Sequence, residues 1–435
     1  MKFYSTKNKS LRVSLKEAIL TGMPPDNGLY MPLSLPKVDD SFLASLSSLS
    51  LPEIAFDLAK FFVDEEIDDN DLRTLVEDAF SFDAPLVSLS NSLYSLELFH
   101  GPTLAFKDFG ARFMSRLMAV FTRDLSKPLK IFVATSGDTG SAVANGFYDV
   151  PGIHVYVLYP EGKVSEIQEK QLATLGKNIT ALRVKGVFDD CQALVKQALA
   201  DERLRQSYLV SSANSINIAR LIPQTFYYFR GWAQLKDKEK DRCVISVPSG
   251  NLGNLTAGLM AKRMGLPIQR FVDAANINDV VPEYLHTGIF IPRPSKHTLS
   301  SAMDVGNPSN FDRILDLYHH RYEAITQDIW GKGYTDDETK EKIRETYEKY
   351  GYLCDPHGAV GLLGLEEYLS LVKTKPAGIF LETAHPAKFK SIVEDIIQRE
   401  IPIPERLAQC LNKPLQAITI ENDYRQLLDI VCKQV

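Results

Sequence analysis

The chain has 435 residues, 45% hydrophobic and 10% aromatic, with 49 Lys and Arg against 55 Asp and Glu for a net charge of −6. At roughly 100 to 200 residues per domain this length predicts two or three domains, and an acidic balance without any long basic block argues against a nucleic-acid partner. Five scattered cysteines, with no CxxC pair, predict a cytoplasmic protein without structural zinc, and no apolar run approaches the roughly 18 residues of a membrane span.

Residues 1–95 read as an N-terminal layer, with a Pro/Gly turn at 24–28, a Ser/Leu-rich stretch at 41–51 and an acidic run at 64–71; residues 1–8 lack a signal peptide's apolar core. The segment His100-Gly-Pro-Thr-Leu-Ala-Phe-Lys-Asp-Phe-Gly110 follows. Lys107 stands there among Pro102, Leu104, Phe106 and Phe109, a surround that disfavours the ammonium form and favours the free amine needed for a Schiff base. A surface lysine with its stem laid over two phenylalanines fits this segment equally well.

From about residue 130, short apolar runs alternate with helical patterns. Strands are predicted at 130–135, 154–159, 179–184, 208–211, 243–247, 270–273 and 378–381, and Ser165 to Gln168 reads as a capping box. Apolar strands alternating with helices predict parallel sheets covered on both faces, hence two α/β lobes with a cleft between them.

Three segments in this half carry chemistry. Thr135-Ser-Gly-Asp-Thr-Gly140 lies where a strand turns into a helix, so its amides and hydroxyls suit a carboxylate or phosphate; good capping is the plainer reading. Pro248-Ser-Gly-Asn-Leu-Gly-Asn254 repeats this placement, and its glycines admit close approach of a phosphate. It lacks the Gly-Lys-Ser/Thr of a P-loop, and spacing alone leaves the owner of that phosphate open. In Thr383-Ala-His-Pro-Ala-Lys-Phe389 a threonine hydroxyl at a strand's carboxyl end could reach the cleft, although helix capping explains it as simply. His319, His320 and His357 are assigned to surface or packing, since no spacing suggests a metal.

Together these segments, with Ser212-Ala-Asn-Ser-Ile-Asn217, Arg220, Gln224, Gly28-Leu-Tyr-Met-Pro32 and Ser301-Ala-Met-Asp-Val305, resemble threonine synthases, in that family's order. The resemblance implies a fold-type II pyridoxal 5'-phosphate enzyme of the tryptophan synthase β-like class. Its parts would be an N-terminal domain (1–95), a lobe with the cofactor lysine and substrate-carboxylate loop (96–230) and a lobe with the cofactor-phosphate loop (231–435), the active site lying between the lobes. Lys107 would hold the cofactor and shuttle protons. Gly250, Asn251, Leu252, Gly253 and Asn254 would cradle its phosphate, and Thr383 would face the pyridine nitrogen, a neutral partner that tempers the electron sink.

Thr135, Ser136, Asp138 and Thr139 would bind the substrate carboxylate. Related enzymes place an asparagine against the cofactor's ring hydroxyl where this chain has Asp138, so its contact stays open. Asn214, Ser215 and Arg220 would bind the phosphate of O-phospho-L-homoserine, which is converted with water to L-threonine and phosphate by γ-elimination and β-addition. The resemblance also implies a cytoplasmic monomer or homodimer without metal, nucleic acid or membrane. The rivals are a serine or threonine dehydratase of the same fold, which needs no second phosphate site, and a non-catalytic binding protein, which would be expected to have lost Lys107.

Overall fold

The computed structural model describes residues 1–433. A small antiparallel sheet of Phe3–Ser5 (β1), Arg12–Val13 (β2) and Tyr30–Pro32 (β3) opens the chain, in the order β2-β1-β3. The Ser/Leu-rich stretch becomes helical and leads into helix Leu51–Val63, started by a Ser50/Glu53 capping box. Ile54, Ala55, Leu58, Ala59 and Phe62 recur at helical spacing and are all buried. The acidic run ends by supplying Asp68 as N-cap for Asp69–Ala79.

Two larger sheets follow. One contains Leu129–Ala134 (β6), Ile153–Pro160 (β7), Ile179–Lys185 (β8), Leu209–Ser212 (β9) and Ala417–Glu421 (β14), in the order β14-β8-β7-β6-β9 and wholly parallel. The other contains Leu86–Ser90 (β4), Leu93–Glu97 (β5), Cys243–Pro248 (β10), Ile268–Ala275 (β11), Ile329–Gly333 (β12) and Ala377–Glu382 (β13), in the order β12-β11-β10-β13-β5-β4, with only β4 antiparallel. Every residue of β6, β10 and β13 is buried, as expected for parallel strands covered on both faces. The expected fold, two parallel-sheet lobes with an N-terminal layer, is the observed one.

Sheet membership does not follow the divisions expected at 95 and 230. β4 and β5 join the second sheet because β5 pairs with β13, and β14 returns to the first by pairing with β8. Helices Lys107–Thr122 (α1), Ile218–Ala233 (α2) and Gly253–Met264 (α3) pack side by side, and Leu51–Val63 lies against α2. Each chemistry-bearing segment of the sequence follows the carboxyl end of a strand: Lys107 after β5, Asp138 after β6, Asn214 after β9, the 250–254 loop after β10 and Thr383 after β13. That end of a parallel sheet is where ligands bind in open α/β folds.

Candidate active site

Lys107 is the first residue of α1. The loop before it is fixed to the end of β13: Phe106 N–H donates to Thr383 O (2.8 Å), and His385 N–H to Leu104 O (3.0 Å). Asp108 accepts from Thr103 N–H and Thr103 Oγ1 at 2.8 and 2.7 Å. Gly101 is required beside it, since a Cβ there would stand 2.5 Å from Asp108 Oδ2. Lys107 is half-buried, and no carboxylate among the described residues ion-pairs with its amine. Burial pushes the amine down to about 8 from 10.5, with Asp138 opposing and Arg220 and Lys388 adding to the drop. The free, nucleophilic form therefore grows with pH through about 8. The rate at which the cofactor-free chain captures an aldehyde should rise across that midpoint and level off above it, as a stopped-flow absorbance series would show.

Asp138 opens helix Asp138–Gly146 behind Gly137, whose φ of 141° suits glycine. Its Oδ1 pairs with Lys388 Nζ (2.8 Å) and accepts from Gln168 Nε2 (2.9 Å). Burial would raise this carboxyl, but Lys388 and Lys107 hold it well below the usual range. Thr135 turns inward, its hydroxyl oxygen accepting from Gly137 and Gly140 N–H at 2.9 and 2.8 Å. It shapes the turn and keeps only its own hydroxyl proton for a ligand. Ser136 is exposed and Thr139 half-buried.

The 250–254 loop is built for close approach. Ser249 N–H continues the sheet to Ala274 O (2.9 Å), Leu252 takes the left-handed region at φ 59°, and α3 begins at Gly253. The first amides of α3 have no acceptor within the helix. A Cβ at Gly250 would lie 2.8 Å from both Ala302 O and Met303 Cα. That backbone is supported from beneath by His357, which accepts from Ala302 N–H (3.2 Å) and pairs with Asp355. Gly250→Ala should therefore weaken cofactor binding about tenfold, the consequence of overpacking a backbone contact, in an absorbance titration of the cofactor-free chain.

Asn251 and Asn214 are more engaged than the sequence suggests. Asn251 Nδ2 donates to Ser215 Oγ (2.6 Å) while its Oδ1 accepts from Ser309 N–H (2.6 Å), so it ties the 214–217 and 250–254 loops together. Asn214 extends the sheet instead, exchanging bonds with Ala134 O (2.8 Å) and N–H (3.3 Å), which leaves one Nδ2 hydrogen for a ligand. Asn254 accepts from Tyr227 and Tyr228 hydroxyls at 2.6 and 2.7 Å.

Two buried donors in the site lack a protein partner among the described residues: Asn254 Nδ2 and Arg220 Nε. Arg220 is 4% exposed, gives Nη1 to Ala213 O (2.7 Å) and has no carboxylate bound to it. Burial pushes its guanidinium down to about 10, against the pull of Asp108. An unpaired buried cation is costly unless a ligand completes it.

Sequence reasoning missed Lys388, Gln168 and Arg313. Lys388 and Gln168 stand inside segments already singled out, but nothing local marks them as buried partners of Asp138. Arg313, fully buried, donates to Ser215 O (3.0 Å), Ile216 O (2.7 Å) and Tyr30 O (3.2 Å), fastening the 214–217 loop to the N-terminal layer.

The chain matches a model of pyridoxal-phosphate-dependent enzymes over residues 82–379, of the threonine synthase N terminus over 2–80 and of the threonine synthase C-terminal region over 358–431. A threonine synthase of Haemophilus influenzae is 45% identical over 98% of both chains. The chain belongs to the threonine synthase family. The crystal structure of the Escherichia coli threonine synthase superposes with a TM-score of 0.93 at 41% identity over the whole of both chains. A pyridoxal-phosphate-bound threonine synthase of Brucella melitensis gives 0.93 at 32% identity, covering 99% of this chain and 98% of its own. The residues present fit the family's cofactor: an unpaired amine, unpaired amides at a glycine-bearing helix start and the unpartnered Asn254 Nδ2 match an aldehyde and a phosphate.

Proposed function

We propose that the chain converts O-phospho-L-homoserine and water to L-threonine and phosphate, with the following roles for its side chains. Lys107 holds the cofactor covalently, and the 250–254 loop holds its phosphate through the amides at the start of α3. Thr383 would face the pyridine nitrogen. The cofactor, when bound, delocalises the electron pairs left by deprotonation at Cα and Cβ. Lys107, once released from the cofactor and in its free-amine form, removes those protons in turn and returns one at Cγ after phosphate has left with the Cγ–O electron pair. Water then adds at Cβ, its oxygen becoming the hydroxyl of threonine and one of its protons passing to the departed phosphate, while Lys107 returns the second substrate proton to Cα.

The substrate carboxylate meets the amides and hydroxyls of the 136–139 turn. Its phosphate meets Arg220, the Ser215 hydroxyl and the remaining Nδ2 hydrogen of Asn214. The observation that carries this reading is Arg220, a buried guanidinium without a carboxylate and with Nε unpartnered. It offers a second anion site besides the cofactor-phosphate loop, which a dehydratase would not need. The scattered, mostly buried free cysteines support a reducing, cytoplasmic setting, and no helix among the described residues is long and apolar enough to cross a membrane.

The holoprotein incubated with O-phospho-L-homoserine should release phosphate and L-threonine in equal amounts. Keto acid formed from L-serine or L-threonine, with O-phospho-L-homoserine untouched, would favour the dehydratase reading.

A further inference from the structure

Lys388 is fully buried, and its ammonium bridges the site's two catalytic turns. It pairs with Asp138 Oδ1 (2.8 Å) and donates to Thr103 O (2.8 Å), a carbonyl that Gln171 Nε2 also reaches at 3.1 Å. Thr103 in turn holds Asp108 through both its N–H and its hydroxyl. One cation thus fastens the 136–139 turn to the loop that carries Lys107. Gln168 shares Asp138 Oδ1 at 2.9 Å, so both donors lie on one oxygen. Around this pair stand Lys107 and Asp108 at the start of α1, Arg220 on α2 and the His385 imidazole just ahead of Lys388 on its own segment.

We propose that Lys388 is a positioning residue of the reaction: its ion pair with Asp138 holds that carboxylate off Lys107 and locks the two turns at a fixed separation. The proposal rests on the assignment of Lys107 as the cofactor lysine. The physical reason is charge balance in a dry interior. An uncompensated carboxylate near Lys107 would favour the ammonium, which cannot attack an aldehyde or take a proton, whereas Lys388 neutralises it and itself disfavours a second cation nearby. The opposing influences of Asp138 and Lys388 on the Lys107 amine follow this sense.

The test uses the full-length chain freed of cofactor, with the rate of pyridoxal 5'-phosphate capture followed by absorbance across pH. Lys388→Met should raise the midpoint of the wild-type profile by about one unit, the size expected when a nearby charge loses its counterion. Lys388→Arg, which keeps the charge, should restore it. Asp138→Asn removes the other half of the pair and leaves a cation facing Lys107, so its midpoint should fall. A lysine that merely filled space would leave the Lys388→Met midpoint where the wild-type one lies, whereas Asp138→Asn acts through its own charge in either case. A profile unmoved in the folded Lys388→Met protein, or moved in the same direction in Lys388→Met and Asp138→Asn, overturns the proposal. If Lys388→Met does not fold, as circular dichroism would show, the Arg and Asn variants carry the test: a shifted Arg profile or an unshifted Asn profile also overturns it. The readout needs no amino-acid substrate, so it stands apart from whether O-phospho-L-homoserine is turned over.

Discussion

Lys107→Ala is expected to lower turnover of O-phospho-L-homoserine by at least about 10³-fold, since it removes both the covalent anchor of the cofactor and the base that moves protons at Cα, Cβ and Cγ. The fold should survive. The amine has no ion-pair partner among the described residues, and deleting it removes a cation that burial already disfavours. Single-turnover phosphate release would measure the loss, and the Schiff-base absorbance of the holoprotein should vanish with it. Added small amines should restore part of the proton transfer but not the anchoring. A variant that retained both absorbance and turnover would mean that another amine, Lys388 being the nearest candidate, holds the cofactor.

Arg220→Ala should reduce kcat/KM for O-phospho-L-homoserine by about 10²-fold, the scale of one or two charge-assisted bonds to phosphate lost from a desolvated site. Cofactor capture should change only through the smaller downward push on the Lys107 amine, since the 250–254 loop lies on another element, and inhibition by inorganic phosphate should weaken in parallel. Part of the loss will be structural, since Ala213 O loses its donor and Gly110 loses the guanidinium packed against it. Arg220→Lys separates the two contributions. It keeps a charge but not the fork, so it should recover affinity only partly. Full activity in both variants would remove the second phosphate site and favour an unphosphorylated substrate.

The seven strands expected from apolar runs are all present, each within two residues at either end, because parallel strands buried on both faces leave an uninterrupted apolar signature. The Ser165/Gln168 capping box is also formed as read. The missed strands lack that signature. β12 reads Ile-Trp-Gly-Lys-Gly, and β14 is an edge strand with most residues exposed or half-buried. β12 pairs with β11 across an intervening segment, and β14 pairs with β8 and β5 with β13 over more than two hundred positions, partners that no local pattern encodes.

The site shows the same division. Lys107, the glycine turns, Arg220 and Thr383 stand out in the sequence because their residue types suit particular chemistry, and the structure places their segments after strand carboxyl ends. The inward turn of the Thr135 hydroxyl, the sheet-like bonds of Asn214 and the engagement of Asn251 are choices among rotamers that only the packed structure makes. Lys388 and Arg313 were hidden for a related reason: a lysine or arginine in sequence carries no mark of burial, and their partners lie as far away as Thr103 and Tyr30. His357, expected to be surface or packing, is buried and paired with Asp355, beneath the backbone that Gly250 packs against.

The most direct measurement is to run the holoprotein on O-phospho-L-homoserine in ¹⁸O-labelled water and follow both products by mass spectrometry. Breakage of the Cγ–O bond followed by water addition at Cβ should give unlabelled phosphate and L-threonine carrying one labelled hydroxyl oxygen. Labelled phosphate accompanied by unlabelled L-homoserine would mean hydrolysis at phosphorus, and would contradict the elimination and hydration assigned to this site.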